Sequence, residues 1–413
     1  MQPVLMRQRR RESVAFATLA LAVLAIVSPA ASVSKPNLAR PLFTLTGTAV
    51  GSRGTTTRIV PGPPPAFAWP RVGQAAVAVL GVGLVGSSPQ ERPVPIASLT
   101  KIMTALVILH DHPLALGQSG PVIPITASDV AEYESDVAAG DNTVRVVVGE
   151  TLTEYELLEA LLIPSGDNIA ELLATWDAGS VANFVAKMNA TADVLGLAST
   201  HYADPSGVSP SSVSTASDQA MVTAKLMESA VVRSIVRRTR LAFPVAGNIP
   251  SYNPALGIDG IIGVKSGWTS EAKSCLVTAA FRSVRRRGVL VISVALGQPG
   301  GPVSPARVDE TLLATATKAL VAYRFAHPGA AVATVTLPGE NRKVYLLAPR
   351  EPSFVVVWHG LRLTQRIIGN AGTFAAALAS KPAGSLVGRL QVLAPWGVVA
   401  TLPLRIGTTF SST

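Results

Sequence analysis

Ser98 and Lys101 carry the spacing that most suggests chemistry in this sequence, because an amine follows a hydroxyl three positions later. On a helix, positions i and i+3 share one face, so the lysine amine can reach the serine hydroxyl. A serine hydroxyl becomes a good nucleophile only when a neighbouring base takes its proton. The Ser-x-x-Lys pattern also occurs at Ser32 and Ser270. Only the copy at Ser98 opens a long apolar run, Ile102 to Leu109, which predicts a buried helix.

A second hydroxyl and a second amine lie further along the chain, each followed closely by a glycine. Ser165 opens the segment Ser165–Asn168, and Lys265 opens the segment Lys265–Trp268. Ser165 could pass a proton to a departing amine, and it is equally suited to cap a helix that begins at Ile169. A lysine beside a serine hydroxyl suits a carboxylate ligand, and a glycine lets the backbone come close to it. In isolation, Lys-Ser-Gly is just as typical of a turn.

Regular elements must bring these segments together. Leucine periodicity predicts a helix over Tyr155–Leu162, and Thr143–Val148 is typical of a short strand. Residues 259–270 predict a strand that ends in a sharp turn. Two β-prone runs follow, Ser274–Phe281 and Gly288–Leu296, and the three together predict an antiparallel sheet.

Composition excludes several classes of protein. Hydrophobic residues make up 48% of the chain and charged residues 15%, which favours a large core over global disorder. The single cysteine, Cys275, excludes an intrachain disulfide and a Cys-rich zinc site. The formal charge of +10 favours an anionic neighbour, although ordinary solvated basic faces are the simpler explanation. No aromatic residues are interleaved among the basic clusters, so we expect no nucleic-acid partner.

The three segments, taken in chain order, resemble a known family. Ser98-Leu-Thr-Lys101, Ser165-Gly-Asp167 and Lys265-Ser-Gly267 are similar to the motifs of the serine D-alanyl-D-alanine carboxypeptidases of the low-molecular-mass penicillin-binding type, peptidase family S11. The likeness includes the phrases PIASLTKIMTALV and IDGIIGVKSGWTSEAKSCLVTAA, and it covers roughly residues 70 to 320. The resemblance implies an α+β fold of the β-lactamase/transpeptidase type, an antiparallel sheet flanked by helices, followed by a small all-β domain.

The resemblance also implies roles for the site residues. It implies that Ser98 is acylated, that Lys101 acts as its base and that Ser165 passes a proton to the leaving amine. The residues implied to bind substrate are Lys265, Ser266, Gly267, Trp268, Asp167 and Asn168. Backbone N–H groups of Ser98 and Trp268 would form the oxyanion hole. The implied reaction removes the terminal D-alanine of peptidoglycan stem peptides, β-lactam antibiotics would acylate the same serine, and no cofactor or metal is expected.

Two positions depart from the family pattern. The third place of the middle motif usually holds asparagine, but here it holds Asp167, with Asn168 next. The sequence leaves open which of the two fills that place. Ser266 stands where threonine is commoner, which keeps the hydroxyl.

Composition and hydrophobic patterning also divide the chain into segments. A basic start and an apolar run from Val14 to Val27 predict an export signal, or an N-terminal membrane anchor, over residues 1–31. Residues 32–70 are rich in Pro, Gly and Ser and predict a linker. We expect the catalytic domain over residues 71–326 and a β-rich domain over residues 327–413. The expected location is therefore the cell envelope, outside the cytoplasm.

Two rival functions stay open on the same motifs. A β-lactamase of class A uses a glutamate after the middle motif to activate water, but only Glu228 lies between Glu171 and Glu271. A penicillin sensor or wall-binding protein would keep the pocket without turnover, and the departure at Asp167 is the reason to consider it.

Overall fold

The computed structural model describes residues 43–46, 55–336, 342–369, 378, 380–407 and 410–411. The predicted export signal or anchor, residues 1–31, lies outside the described residues, as does much of the predicted linker. Within the described ranges, no helix combines the length and hydrophobicity that crossing a bilayer requires.

The helices and strands of the described part are numbered in chain order. The helices are α1 (Lys101–Asp111), α2 (Ala127–Ala139), α3 (Glu154–Leu162), α4 (Asp167–Ala178), α5 (Val181–Val194), α6 (Ala216–Leu226), α7 (Ala230–Val236) and α8 (Val303–Ala319). The strands are β1 (Phe43–Thr46), β2 (Thr55–Ile59), β3 (Gln74–Val79), β4 (Gly83–Ser87), β5 (Val94–Pro95), β6 (Val122–Pro124), β7 (Thr151–Thr153), β8 (Val213–Ser214), β9 (Arg240–Phe243), β10 (Gly247–Pro250), β11 (Ile261–Thr269), β12 (Lys273–Val284), β13 (Arg287–Gln298), β14 (Leu320–Ala326), β15 (Ala331–Thr336), β16 (Arg342–Leu347), β17 (Ser353–Trp358), β18 (Arg362–Ile368), β19 (Leu386–Ala394), β20 (Gly397–Ile406) and β21 (Phe410–Ser411).

A five-stranded antiparallel sheet, in the order β11-β12-β13-β3-β4, is the scaffold of the N-terminal part. Successive side chains of a strand point to opposite faces, and β3 shows what each face covers. Ala76 and Ala78 belong to the core shared with the helices around α1, whereas Val77 and Val79 belong to a second core with α8. Because both faces are covered, β3 is buried along its whole length.

Helix α1 lies at the centre of the helical side, packed against α3, α4, α5 and α6. Its apolar residues Ile102, Met103, Ala105 and Ile108 are fully buried, as the apolar run predicted. A capping box begins α3: the Thr153 hydroxyl accepts the Glu156 backbone N–H, and the Glu156 carboxylate accepts the Thr153 N–H at 2.8 Å. The segment after α3 leads directly into α4, so each of its two ends is joined to a helix.

The C-terminal part is built from strands, which confirms the predicted fold class of an α+β domain followed by a β-rich region. Its main sheet runs β1-β15-β16-β20-β19-β18-β2, with β21 on β16, and β14 pairs separately with β17. This sheet packs onto α8 and the far face of the central sheet through the second core.

The linker prediction for residues 32–70 is wrong at two places. Thr55–Ile59 forms β2 and pairs with β18, and Phe43–Thr46 forms β1 and pairs with β15. The TTTRI sequence of β2 is mostly exposed, so it has no apolar alternation to mark it. Its β-branched residues instead suit an edge strand, whose backbone hydrogen bonds are made with the neighbouring strand.

Candidate active site

Ser98 lies on a 3-10 turn, Ala97–Thr100, that leads directly into α1. Lys101, the first residue of α1, has a fully buried side chain, and its Nζ donates to Ser98 Oγ at 3.0 Å. The contact predicted from the spacing is therefore present, although the serine precedes the α-helix. Ser98 itself stays partly exposed, so a substrate carbonyl can approach it.

Ser165 lies between α3 and α4, and its hydroxyl faces Lys265. The Lys265 Nζ donates to Ser165 Oγ at 2.7 Å, and both side chains are buried. The alternative role of Ser165 as a helix cap is wrong, because α4 begins at Asp167 and its N-cap residue is Gly166. The structure thus brings Ser165 to the third motif, 100 positions later in the sequence.

Asp167 rather than Asn168 faces the first motif. Lys101 Nζ donates to Asp167 Oδ1 at 2.5 Å, while Asp167 Oδ2 accepts the Asn142 backbone N–H at 2.8 Å. The Asn168 amide turns away: its Oδ1 accepts the Val144 N–H and its Nδ2 donates to the Val144 carbonyl, each at 2.9 Å. The predicted strand at Thr143–Val148 is therefore wrong, since a side-chain amide takes the place of a partner strand.

Strand β11 forms one edge of the central sheet and carries the third motif. Lys265 Nζ also donates to the Ser266 carbonyl at 2.7 Å, and Ser266 Oγ donates to the Tyr252 carbonyl at 2.9 Å. Trp268 ends the motif with its side chain 65% exposed. The predicted binding residues Lys265 to Trp268 therefore line one edge, running from a buried amine to an exposed ring.

Gly267 lets β11 approach the turn that carries Ser98. A Cβ added at Gly267 would lie 2.9 Å from the Ser98 backbone nitrogen and 3.1 Å from Ala97 Cβ. Any side chain would push the strand and the turn apart. The predicted oxyanion hole from the N–H groups of Ser98 and Trp268 stays a prediction.

Burial perturbs the amine of the second pair. Desolvation, and next the positive charge of Lys101, lower the pKa of Lys265 well below its ordinary range, while the Asp167 carboxylate opposes the shift. Lys265 can exchange a proton with the Ser165 hydroxyl that it contacts. A substrate carboxylate beside Lys265 would favour the charged form of its amine.

Two site residues have the left-handed backbone that favours glycine: Ala97 with φ 50° and Ser165 with φ 67°. Such a conformation costs a non-glycine residue about 1–3 kcal/mol and persists only where the surroundings fix it. Ala97 directly precedes the nucleophile candidate, and Ser165 is the second hydroxyl. Strained backbone therefore lies at Ser165 itself and directly before Ser98.

Residues outside the three motifs complete the site, and sequence reasoning did not assign them roles there. The Ser206 carbonyl accepts from Lys101 Nζ at 2.8 Å. The Asp204 carboxylate organises this loop by accepting from the Gly207 N–H at 2.8 Å and the Ser206 hydroxyl at 2.9 Å. The run Asp204-Pro-Ser-Gly207 was the sequence feature that could have indicated that this loop belongs to the site. Asn142, which holds Asp167 through its backbone, carried no signal.

The arrangement suits acyl transfer. A partly exposed hydroxyl lies beside a buried amine, a second hydroxyl–amine pair lies next to it, and an open strand edge passes both. These are the components of a nucleophile, a proton carrier and a binding edge for an extended peptide.

Comparison with known proteins points the same way. The sequence profile of the D-alanyl-D-alanine carboxypeptidase family, peptidase S11, matches residues 84–300. Over 215 residues the chain is 34% identical to D-alanyl-D-alanine carboxypeptidase DacB2 of Mycobacterium tuberculosis, covering 50% of this chain and 69% of that protein. It is 32% identical to the D-alanyl-D-alanine carboxypeptidase of Streptomyces sp. K15, covering 50% of this chain and 73% of the relative. For DacF of Bacillus subtilis, at 31% identity, the shares are 51% and 54%.

Solved structures agree in fold. Penicillin-binding protein 5 of Haemophilus influenzae superposes with a TM-score of 0.60 at 19% identity, over 84% of this chain and 98% of that one. The Streptomyces K15 DD-transpeptidase superposes with a TM-score of 0.53 at 26% identity, over 62% of this chain and 98% of that one. The family profile spans more than half of the 413 residues. The chain therefore belongs to the D-alanyl-D-alanine carboxypeptidase family, peptidase family S11.

Proposed function

We propose that this chain is a serine D-Ala-D-Ala carboxypeptidase that removes the terminal D-alanine of peptidoglycan stem peptides through an acyl-Ser98 intermediate. One observation carries the proposal: Lys101 and Lys265, 164 positions apart, each contact a serine hydroxyl in one site, with Asp167 interacting with both amines. Membership of the family supports the reaction type, and β-lactams would acylate the same hydroxyl.

In the proposed acylation, Ser98 Oγ attacks the penultimate D-alanine carbonyl, and its proton moves to the Lys101 amine. The N–H groups of Ser98 and Trp268 stabilise the oxyanion, each worth about 3 kcal/mol in comparable sites. The C–N bond then breaks, and the leaving nitrogen takes the proton of the Ser165 hydroxyl. Ser165 Oγ takes a proton in turn from Lys265, which is charged beside the substrate carboxylate, while Lys101 keeps the proton of Ser98. Water afterwards hydrolyses the Ser98 ester and releases the shortened peptide.

In the proposed complex the terminal carboxylate of the substrate lies against β11. The Ser266 hydroxyl can turn from the Tyr252 carbonyl toward it, and Lys265 becomes charged beside it. The peptide itself would extend the sheet at its β11 edge.

The test is release of D-alanine from a stem pentapeptide that ends in D-Ala-D-Ala, with Ser98→Ala as the matched control. Release by the wild type and none by the variant supports the proposal. Rapid penicillin hydrolysis without D-alanine release would instead identify a β-lactamase. Stable penicillin acylation with no peptide turnover would identify a sensor.

We further propose that the protein is exported to the cell envelope and associates with the membrane through its N-terminal segment. The support is the basic start followed by the apolar run from Val14 to Val27. Fractionation of cells that produce the full chain, compared with a chain beginning at residue 32, tests it. Recovery of the full chain in the cytoplasm would contradict export.

A further inference from the structure

Three consecutive arginines, residues 285–287, lie at the far end of the central sheet, and the proposed reaction does not use them. They join β12 to β13. Lys265 pairs with Val277 of β12, and that strand continues from Val277 to Val284, just before the arginines. At about 3.3 Å per residue, this length of strand places the arginines roughly 23 Å from Lys265. They are therefore separate from the active site.

The turn that carries these arginines has a backbone that arginine does not favour. Val284 pairs with Arg287, so Arg285 and Arg286 are the two central residues of a tight hairpin. Both lie in the left-handed region, with φ of 49° and 64°. Such a turn is most often built from Asn-Gly, because those residues adopt positive φ with little strain. Local backbone preference therefore does not account for arginine at these two positions.

A fourth arginine joins them from the C-terminal part. Arg324 of β14 lies opposite Phe354 of β17, and its guanidinium carbon is 4.9 Å from the centre of the Phe354 ring. The guanidinium carbon of Arg287 is 5.7 Å from the same centre. One aromatic ring thus holds a guanidinium group of the hairpin and one of β14 through cation–π contacts. We call Arg285, Arg286, Arg287, Arg324 and Phe354 the arginine patch.

The positive charges of the arginine patch have no anionic partner in the part of the chain that the structure describes. All four arginines are exposed, and none forms an ion pair with a described carboxylate. By contrast, Arg282 on the same hairpin is paired with Asp259 at 2.8 Å. Like charges held close together repel one another. The patch is therefore complementary to an anion that comes from outside these residues.

The shape of the hairpin favours an extended anionic surface over a single small anion. Strand β13 begins at Arg287, but its pairing with β3 starts only at Val291. The tip of the hairpin therefore projects past its neighbour in the sheet. A projecting tip can lie on a flat layer of phosphate groups, whereas a small anion needs a pocket that surrounds it.

The point where the N-terminal segment joins the fold identifies a membrane as that surface. The first described strand, β1, begins at Phe43, which pairs with Ala333 in parallel. Ala333 follows Arg324 closely, with one turn between β14 and β15. The apolar run proposed above as the membrane segment ends at Val27, and the connection from Val27 to Phe43 spans at most about 50 Å. A membrane that holds this run therefore lies within reach of the arginine patch.

We propose that the arginine patch binds the phosphate groups of anionic phospholipids and so holds this end of the protein on the membrane surface. Guanidinium groups suit this role, because they donate paired hydrogen bonds to phosphate oxygens. With the tip on the headgroups, the length of β12 keeps the active site at most roughly 23 Å from that surface. The proposal does not depend on the proposed reaction.

The experiment measures binding of the full chain to phosphatidylcholine vesicles with and without phosphatidylglycerol. The test variant, Arg285→Asn with Arg286→Gly, removes two charges and installs the residues that this turn prefers. Its preference for the anionic vesicles should fall about 30-fold relative to wild type, the share of two arginines near a charged surface. Its urea midpoint should be at least that of wild type, which separates a loss of binding from a loss of fold. An unchanged preference overturns the proposal.

Two further variants separate the arginine patch from net charge and from the turn. Arg237→Gln with Arg240→Gln removes the same charge from exposed arginines elsewhere. Its preference should stay within about twofold of wild type, because charges far from the surface are screened by salt. Arg324→Gln, which leaves the turn intact, should lower the preference about fivefold. An equal fall in the two double variants, or no fall in Arg324→Gln, overturns the proposal.

Hydrogen exchange on the vesicles locates the contact. The backbone amides of residues 284–288 should exchange more slowly on anionic than on neutral vesicles, and protection confined to other segments overturns the proposal. Binding of the wild type to duplex DNA with no preference for anionic vesicles would also overturn it and identify a nucleic acid instead. Penicillin acylation in solution should be the same in all of these variants as in wild type. Its absence from every one, wild type included, would contradict the proposed reaction and not the arginine patch.

Discussion

The site contains two serine–lysine pairs that differ in their separation along the chain and in the partners of the amine. The first pair, Ser98 and Lys101, is local: three positions apart, at 3.0 Å, with a carboxylate on the amine. The second pair, Ser165 and Lys265, is separated by 100 positions, at 2.7 Å, and no carboxylate among the described residues contacts its amine. The same two residue types therefore provide an amine paired with a carboxylate at one place and an amine with a lowered pKa at the other.

The comparison teaches that burial alone does not decide the chemistry of a lysine. Both side chains are fully enclosed, yet the contact with Asp167 separates them. Lys101 donates directly to the Asp167 carboxylate, whereas Lys265 is desolvated and faces the like charge of Lys101, which Asp167 opposes only in part. The predictions below test this difference, from the largest effect to the smallest.

The largest effect should separate the two serines. Ser98→Ala should abolish penicillin acylation and D-alanine release, a loss of about 10⁴-fold or more, because no nucleophile is left. Ser165→Ala should slow both by about 10²-fold, because a positioned proton carrier is lost. Intact-protein mass spectrometry detects the acyl adduct. A stable adduct on Ser98→Ala, or none on Ser165→Ala after long incubation, would reverse the assignment of the two pairs.

The next effect concerns the contact that joins the pairs. Gly267→Ala should slow acylation by about 10²-fold, because displacing the strand by roughly 1 Å misaligns β11 with Ser98. Gly288→Ala is the matched control in the same sheet, since a Cβ there meets nothing within 4 Å. Rates for both variants come from stopped-flow mixing with fluorescent penicillin. Equal rates for the two variants would show that the close approach does not matter.

The first pair was predictable from the sequence, and the second was not. Spacing alone places Lys101 beside Ser98, whether the turn is 3-10 or α. No local rule relates Ser165 to Lys265, because helices α4 to α7 lie between them along the chain. Only the resemblance to a family indicated that the two would meet. The choice between Asp167 and Asn168 also required the fold, because it depends on where α4 begins and on the amide contacts of Val144.

The rest of the fold shows the same division. The apolar run of α1, the capped α3 and the strand carrying Lys265 have strong local patterns, and their existence was predicted. Thr143–Val148 has the composition of a strand but is held by a side chain, and β2 is an exposed strand that pairs with β18. In both segments the tertiary partner, rather than the local composition, decides the structure.

A smaller effect should show the uncharged state of Lys265. Its lowered pKa means that the charged form is populated at low pH and lost as pH rises. Binding of a substrate carboxylate should therefore weaken with rising pH, by about fivefold in KM, the difference between a charge-assisted and a neutral hydrogen bond. The control is the same peptide with a C-terminal amide, whose KM should change little. Parallel pH profiles for the two peptides would mean that Lys265 keeps its charge throughout.

The smallest effect on activity concerns the support behind the second pair. On the α8 side of the central sheet, Asp309 accepts from the Thr278 hydroxyl at 3.0 Å and the Ser293 hydroxyl at 2.8 Å, and Thr278 pairs with Val264, next to Lys265. Burial raises the pKa of Asp309 to about 8, and the two hydroxyl contacts offset only part of the shift. The folded protein thus keeps this carboxyl protonated at a pH where the unfolded chain has lost the proton.

The sign of the resulting pH dependence is fixed by proton uptake. Between the unfolded pKa near 4 and the folded pKa near 8, the folded state binds more protons, so the free energy of unfolding falls as pH rises. The slope for this one group is at most about 1.4 kcal/mol per pH unit. Asp309→Asn removes that contribution, and its stability relative to wild type should rise steadily from pH 4 to pH 8. Urea unfolding across that pH range measures the change in stability. Acylation rates at pH 7 should stay within about threefold of wild type, since a structural change on the α8 side of the sheet alters the geometry of the reacting atoms little. Parallel stability curves would mean that Asp309 is ionised in the fold, and a large loss of acylation would mean that the sheet behind Lys265 is less rigid than its burial indicates.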